Sequence, residues 1–544
     1  MKKGIKFMFA AILGIAAVSC ASPEKMAEMA ENVTVKCEPA VLEVVGGNID
    51  AKISVTYPED YFHPKAILEV TPVIVYEGGE QAMEPFVFQG EKVKDNYEVI
   101  PSEGATVTKN VHFTYVPGME KCYLELRGTA RYKAKYADLP SKKVADGANT
   151  TYMLVCQKGK LDLKADNYQE IIKETAEGQI LYQINSSNVR NSQLKSQSIK
   201  DFQAALDEIK ANERKTLTGT DIVAYASPDG KEADNAKLSD KRSSTAEKAF
   251  GKVTKKHAYD APVNVKSVGE DWEGFQELVA ESDLEDKDLI IRVLSMYSDP
   301  AVREKEIKNM SAVYKTLAKE VLPELRRARF IANVEYKNYT SEELLKLIEE
   351  NIDVLDETAL LRAATLVKEN SQKIALYKKA VEKFNSANGQ YNLAVTYIRD
   401  GKLAEAKATL AKCAKDADWN NAMGVVALQE NNLAEATKYF NAAANKSAKA
   451  NLAVVDVLNG DYKAAAAKLG DCKCFNAALV ALLNGNNAPA AALKCECPEA
   501  AYLRAVAAAR QGDAAGVKAN LEVAKKCEKL AARAEKDVEF AQYR

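Results

Sequence analysis

Tryptophan and histidine are scarce in this chain of 544 residues: there are two of the first, Trp272 and Trp419, and three of the second, His63, His112 and His257. The histidines fall in two different expected domains, so a Ser-His-Asp or Cys-His arrangement would need an inter-domain meeting. The chain also lacks a Gly-x4-Gly-Lys-Ser/Thr loop and a dinucleotide fingerprint. Carboxylate pairs such as Glu270-Asp271 are ordinary in a sequence this charged, and nothing selects one pair as acid and base. No enzyme and no cofactor is expected. The shortage of tryptophan likewise argues against a glycan-capturing protein, which needs exposed aromatic platforms. Net charge is −2, and losing Lys2, Lys3 and Lys6 with the first nineteen residues takes it to −5. There is then no basic field to attract nucleic acid.

What the chain does have begins at its N-terminus. Lys2, Lys3 and Lys6 precede the apolar run Phe7 to Val18, which reads as an export signal too short to stay as a membrane span. The run ends in Ala17-Val18-Ser19-Cys20, which resembles a bacterial lipobox, with Ala17 where that motif prefers leucine. The resemblance implies a signal peptide over 1–19 and a lipidated Cys20 that anchors the chain without a spanning helix; ordinary signal cleavage is the alternative. Ala21 to Lys25 carry no acidic cluster of the kind that resembles a surface-export signal. The expected location is the outer membrane, lipid-anchored and facing the periplasm, with the cell surface left open. Nine cysteines follow Cys20, and an odd, scattered set argues against a disulfide framework, so at most a few bridges are expected.

After a tether over 20–32, residues 33–158 alternate with period two. Ile49, Ala51, Ile53, Val55 and Tyr57 lie on one side, with Asp50, Lys52, Ser54 and Thr56 on the other. Gly46-Gly47, Gly78-Gly79 and Pro117-Gly118 punctuate the runs. This pattern predicts a β-sandwich serving as a spacer or binding platform.

A central domain over 166–338 shows strand, helix, strand, helix, strand. Ile180–Asn185, Ile222–Tyr225 and Val263–Gly269 are expected strands, Ile199–Ile209 an amphipathic helix, and Arg327–Tyr336 a fourth strand. Its densest stretch is Ala224 to Phe250. Ser227-Pro228-Asp229-Gly230 turns the chain into a helix on which Asn235, Leu238, Arg242 and Ala246 share a face. An arginine on that face needs an anionic partner. The spacing of Gly230, Asn235, Leu238, Ser239 and Arg242 is similar to the OmpA-like peptidoglycan-binding domain. That resemblance implies an α/β sandwich in which Arg242 pairs bidentately with a diaminopimelate carboxylate, Asp229 meets its ammonium and Asn235 braces the loop. Ser227 stands where the family has its aspartate. The insertion 269–322 opens with Gly269-Glu270-Asp271-Trp272, and Pro323-Glu324-Leu325-Arg326-Arg327 follows it. It is similar to an extended version of the domain in lipoproteins of the Bacteroidales, a branch in which peptidoglycan need not be the ligand. Trp272 is expected to anchor the core of the insertion.

From 341 to 544 the chain reads as helical repeats. Gly401-Lys-Leu-Ala-Glu-Ala, Asn431-Asn-Leu-Ala-Glu-Ala and Gly460-Asp-Tyr-Lys-Ala-Ala are followed by weaker copies at Gly485 and Gly512, at offsets of 30, 29, 25 and 27 residues. Asn-Leu-Ala-like helix material precedes these turns, as at Tyr391–Ala394, Asn451–Val454 and Phe475–Ala478. Helix hairpins at this period make an α-solenoid similar to tetratricopeptide repeats (TPR), whose concave surface is expected to hold a protein or peptide. Two Cys-x-Cys pairs, Cys472 with Cys474 and Cys495 with Cys497, fall at corresponding helix ends of consecutive repeats. Two readings stand: buried thiols or a disulfide between repeats, and four thiolates on a zinc ion.

The whole is expected to be a multi-domain α+β chain acting as a non-enzymatic envelope scaffold or adaptor. Its central domain would contact peptidoglycan or an outer-membrane partner, and its solenoid would bind envelope proteins. The alternative is an assembly factor for surface structures whose OmpA-like domain no longer binds peptidoglycan.

Overall fold

The computed structural model describes residues 22–254 and 261–544. Cys20, the signal segment and His257 lie outside the described residues. The chain has a sheet-rich N-terminal region and a helical C-terminal region, and it divides into two compact units. One comprises the chain up to Lys164 together with Ser386–Arg544, and the other is Ala165–Asn385. The helices between 341 and 385 therefore belong with the central unit, whereas the sequence placed them in the solenoid. They are amphipathic like the repeats that follow, so composition does not mark the boundary.

In the first unit, the strand Asn48–Tyr57 pairs antiparallel with Thr34–Glu38 and with Ala105–Thr114. A second group is built on Cys122–Tyr132, which pairs with Ile67–Tyr76 and Lys142–Asn149. The short strand Val41–Val45 joins the two groups, antiparallel to the first and parallel to the second. Ile49, Ala51, Ile53, Val55 and Tyr57 are all buried, as their alternation requires. A cavity of about 50 Å³ is lined by Val55 and Tyr57 from the first group and by Leu68, Val70 and Leu126 from the second.

The helical part of this unit is a stack of hairpins: Ala387–Arg399 with Leu403–Leu410, Ala417–Gln429 with Leu433–Ala443, Lys446–Leu458 with Tyr462–Leu469, Phe475–Leu483 with Ala488–Ala491, and Pro498–Arg510 with Ala514–Ala524. At each turn one residue has positive φ: Gly401, Asn431, Gly460, Gly485 and Gly512. This explains why every copy of the repeat opens on glycine or asparagine, the residues that tolerate that conformation. The first helix of each hairpin is nearly enclosed, with Val425, Val426 and Leu428 fully buried in the second. The sheet region is docked onto this stack by polar contacts. Arg533 donates from Nη2 to the Thr150 carbonyl at 2.7 Å, and Asn149 Nδ2 donates to Glu539 Oε1 at 2.7 Å.

In the central unit four strands lie in the order Ile171–Leu181, Arg327–Lys337, Lys215–Ala226, Val263–Glu270. The first strand starts earlier than expected and ends at Leu181, because it pairs over its whole length with Arg327–Lys337. The helices Gln197–Ala211 and Glu232–Thr254 supply Phe202, Leu206, Ala246 and Val253 to a core shared with Ile180, Ile222, Phe330 and Val334. The insertion forms four helices between Trp272 and Glu320 with a core of their own around Phe275, Ile290, Leu294 and Leu317. Trp272 packs against that core and stacks edge-on to Phe275 at 5.8 Å. Among the described residues no helix is long and apolar enough to cross a membrane.

Candidate functional site

On the helix Glu232–Thr254 the buried stripe is polar for its first turns, Asn235, Ser239 and Arg242, and apolar afterwards, Ala246, Ala249 and Val253. Ser239 is buried while Leu238 is only half-buried, so the inward face is rotated slightly from the one expected. Arg242 is 0% exposed. Its Nε donates to the Ser186 carbonyl at 3.0 Å, Nη1 to Tyr225 O at 2.8 Å and Nη2 to Gln183 O at 3.3 Å. The guanidinium lies 5.0 Å over the Tyr182 ring, and burial lowers its pKa to about 10. A charge this deep is tolerated because three main-chain carbonyls, two from a loop and one from a strand end, solvate it. Arg242 thus ties the helix to the loop after the first strand and to the end of the strand Lys215–Ala226.

The other residues of the motif are likewise engaged internally. Asp229 accepts from Ser227 Oγ at 2.7 Å and from Arg326 Nη2 at 3.0 Å. The carboxylate that the resemblance aims at a ligand ammonium is therefore paired with the arginine that closes the insertion. Ser227, in the place of the family aspartate, is buried beneath that pair and also faces Arg326 Nε at 3.3 Å. Asn235 donates to the Ser227 carbonyl at 3.1 Å and to Glu270 Oε1 at 2.8 Å, and Trp272 Nε1 donates to Glu270 Oε2 at 2.9 Å. Burial raises the Glu270 carboxyl above its ordinary value, against the pull of those two donors. Ser227, Asp229, Asn235 and Arg242 share one neighbourhood, but their polar atoms are turned toward protein partners.

The two Cys-x-Cys pairs do not assemble into a metal cage: among the described residues no group of three or more His, Cys, Asp or Glu side chains is placed to hold a metal ion. The short sulfur contact, Cys495 to Cys497 at 2.6 Å, lies inside one pair, and the described cysteines are unbridged. The helix starts repeat along the stack, but each pair keeps to its own turn.

The solenoid holds a site that the sequence did not disclose. Residues 156–164 run as an irregular, extended strap along its first helices, held by a ladder of asparagines. Asn476 accepts from Cys156 N at 2.8 Å and donates to Cys156 O at 3.1 Å. Asn451 does the same at Lys160, at 2.6 and 3.0 Å, and Asn392 at Lys164, at 2.8 and 3.0 Å. Asn421 donates to Lys160 O at 2.9 Å and accepts from Asn451 at 2.9 Å. The strap meets the hairpins in reverse order, the fourth at Cys156 and the first at Lys164. Gln429 and Arg399 donate to the Lys158 and Leu161 carbonyls between these rungs. Asn392, Asn421 and Asn451 are each 2% exposed, so the strap supplies the partners that buried amides require.

Two side-chain contacts fix its register. Lys164 reaches Asp416 at 2.8 Å and also Asp418, at the start of the second hairpin. Gly159, at φ +74°, lies so close to Val425 that a Cβ would stand 2.5 Å from both of its methyl groups. The ladder has a signature in the sequence, an asparagine at the same place in the first helix of successive repeats. It was masked because its partner lies more than two hundred residues upstream.

No family model matches this chain, and no curated relative matches it. Among solved structures, one described as "Crystal structure of YrrB: a TPR protein with an unusual peptide-binding site" aligns with 36% of this chain and 100% of its own, at 21% identity and a TM-score of 0.20. What makes this C-terminal region TPR-like is its own repeated helix hairpin.

Proposed function

We propose that the chain is a non-enzymatic scaffold of a bacterial cell envelope, anchored through a lipid on Cys20, with an OmpA-like central unit that does not clamp peptidoglycan. The observation that carries this reading is the asparagine ladder. The backbone-holding groove of the solenoid is filled by residues 156–164 of the same chain, which binds the sheet region and the hairpins into one body. In the sequence, the central unit Ala165–Asn385 is an insertion between the two parts of that body. Burial of Arg242 and the pairing of Asp229 with Arg326 favour a central unit that does not clamp the stem peptide. The motif spacing, the element order and the insertion support the OmpA-like assignment.

Fractionation of cells expressing the full chain tests this. Wild type is expected in the membrane fraction, with none sedimenting on detergent-washed sacculi, and Cys20→Ala is expected in the soluble fraction. Retention on sacculi that is lost on muramidase digestion would return the chain to the peptidoglycan-binding class. A membrane location unchanged by Cys20→Ala would remove the lipid anchor.

A further inference from the structure

The loop before the fifth hairpin carries Cys495-Glu496-Cys497, and the two sulfurs lie 2.6 Å apart. Cys497 N donates to Cys495 Sγ at 3.3 Å, which folds the tripeptide so that both side chains emerge on one side. Arg504, nearly two turns along the following helix, pins the loop. Its Nη1 donates to the Leu493 and Cys495 carbonyls at 3.0 and 2.7 Å, while Nε is held by Asn520 Oδ1 at 2.8 Å. Cys495 is exposed and Cys497 half-buried at the start of the helix Pro498–Arg510. Exposure, a positive neighbour and a second thiol within bonding reach are the conditions under which a cysteine exchanges with disulfides.

We propose that Cys495 and Cys497 are a dithiol–disulfide couple, a redox site whose substrate class is an external disulfide, with Cys495 as the attacking sulfur. The Cys495 thiolate attacks one sulfur of the external disulfide. That S–S bond breaks, and the departing thiolate takes the electron pair and is protonated from water. Cys497 then gives its proton to water and attacks Cys495 Sγ, expelling the second thiolate, which is protonated in turn. Two protein thiols are oxidised to one disulfide, and the external disulfide is reduced to two thiols.

The assignment of roles follows the surroundings. The hydrogen bonds from Cys497, with the charge of Arg504, hold the Cys495 thiol below its ordinary value, against the opposing charge of Glu499. Burial and the neighbouring sulfur push Cys497 up. Cys472 and Cys474 repeat the motif one hairpin earlier, and there too burial raises the second cysteine, Cys474. This site stands independently of the scaffold reading.

The full-length protein, equilibrated with mixtures of oxidised and reduced glutathione, alkylated and digested with trypsin, gives the test. The fragment Cys495–Arg504 contains both sulfurs and no other cysteine. It is expected to lose two hydrogens reversibly as the mixture becomes oxidising. Cys497→Ser should instead accumulate glutathione on Cys495, and Cys495→Ser should react with oxidised glutathione several-fold more slowly than Cys497→Ser. Circular dichroism of both variants, expected to match wild type, checks folding. The proposal is overturned if the fragment stays fully alkylated at every ratio, or if it is recovered bridged to the fragment carrying Cys474. Equal rates for the two serine variants would remove Cys495 as the attacking sulfur.

Discussion

Asn392 and Lys164 form a closed two-way pair, in which the side-chain oxygen accepts from the backbone N–H at 2.8 Å and the side-chain nitrogen donates to the carbonyl at 3.0 Å. The same pairing recurs at Asn451 with Lys160 and at Asn476 with Cys156. Contacts of this kind read only the backbone, so the ladder selects an extended chain rather than a side-chain sequence. Selection of this particular segment comes from Gly159 under Val425 and from Lys164 between Asp416 and Asp418.

Removing a rung should be costly. Asn451→Ala deletes the acceptor of the Lys160 N–H, one of the two donors to its carbonyl and the donor to Asn421, leaving the Lys160 N–H and the Asn421 amide oxygen unpaired at about 1–3 kcal/mol each. The expected result is a lower midpoint in urea unfolding of the full chain, with a smaller loss for Asn476→Ala, whose site is more exposed.

Gly159→Ala should destabilise by about 1–3 kcal/mol, because the added methyl overlaps Val425 and the backbone there is left-handed. Val425→Ala opens the space at the cost of a cavity. The double variant should therefore lose less than the sum of the two single losses, and a double-mutant cycle by thermal unfolding reads that coupling directly. Strict additivity would mean that the strap does not lie against Val425.

Arg242→Met should unfold the central unit at markedly lower denaturant, with a loss of about 3 kcal/mol or more, because three carbonyls lose their donors together. Arg242→Lys should recover only part of this, since an ammonium cannot reproduce the planar fork that reaches Ser186, Tyr225 and Gln183 at once. A ligand-clamping arginine would behave differently: its replacement would leave stability nearly unchanged and abolish retention on sacculi.

The legible parts of the fold were those in which sequence period and local chemistry agree. Ile49 to Tyr57 alternate because one face is buried, and Gly401, Asn431 and Gly460 recur because each hairpin turn needs positive φ. The helix Glu232–Thr254 and its inward arginine could be read from spacing, but the partners of Arg242 could not. They are main-chain carbonyls contributed by a loop and a strand end, and carbonyls have no sequence signature. The ladder was harder still. Asn392, Asn451 and Asn476 were legible only as part of the Asn-Leu-Ala-like helix material before each turn, and residues 156–164 belong to no regular element and so carry no period. The end of the central unit was missed at Asn385 because the helices on both sides of it have similar composition.

Residue-resolved hydrogen exchange on the intact chain tests the central claim most directly, that the solenoid groove is filled by its own strap. The amides of Cys156, Lys160 and Lys164 donate to buried or half-buried asparagines and should exchange as slowly as the first helices of the hairpins, with Asn451→Ala accelerating Lys160 well above the rest. Exchange of all three at the rate of an unfolded chain, unchanged by Asn451→Ala, would show an empty groove and contradict the account.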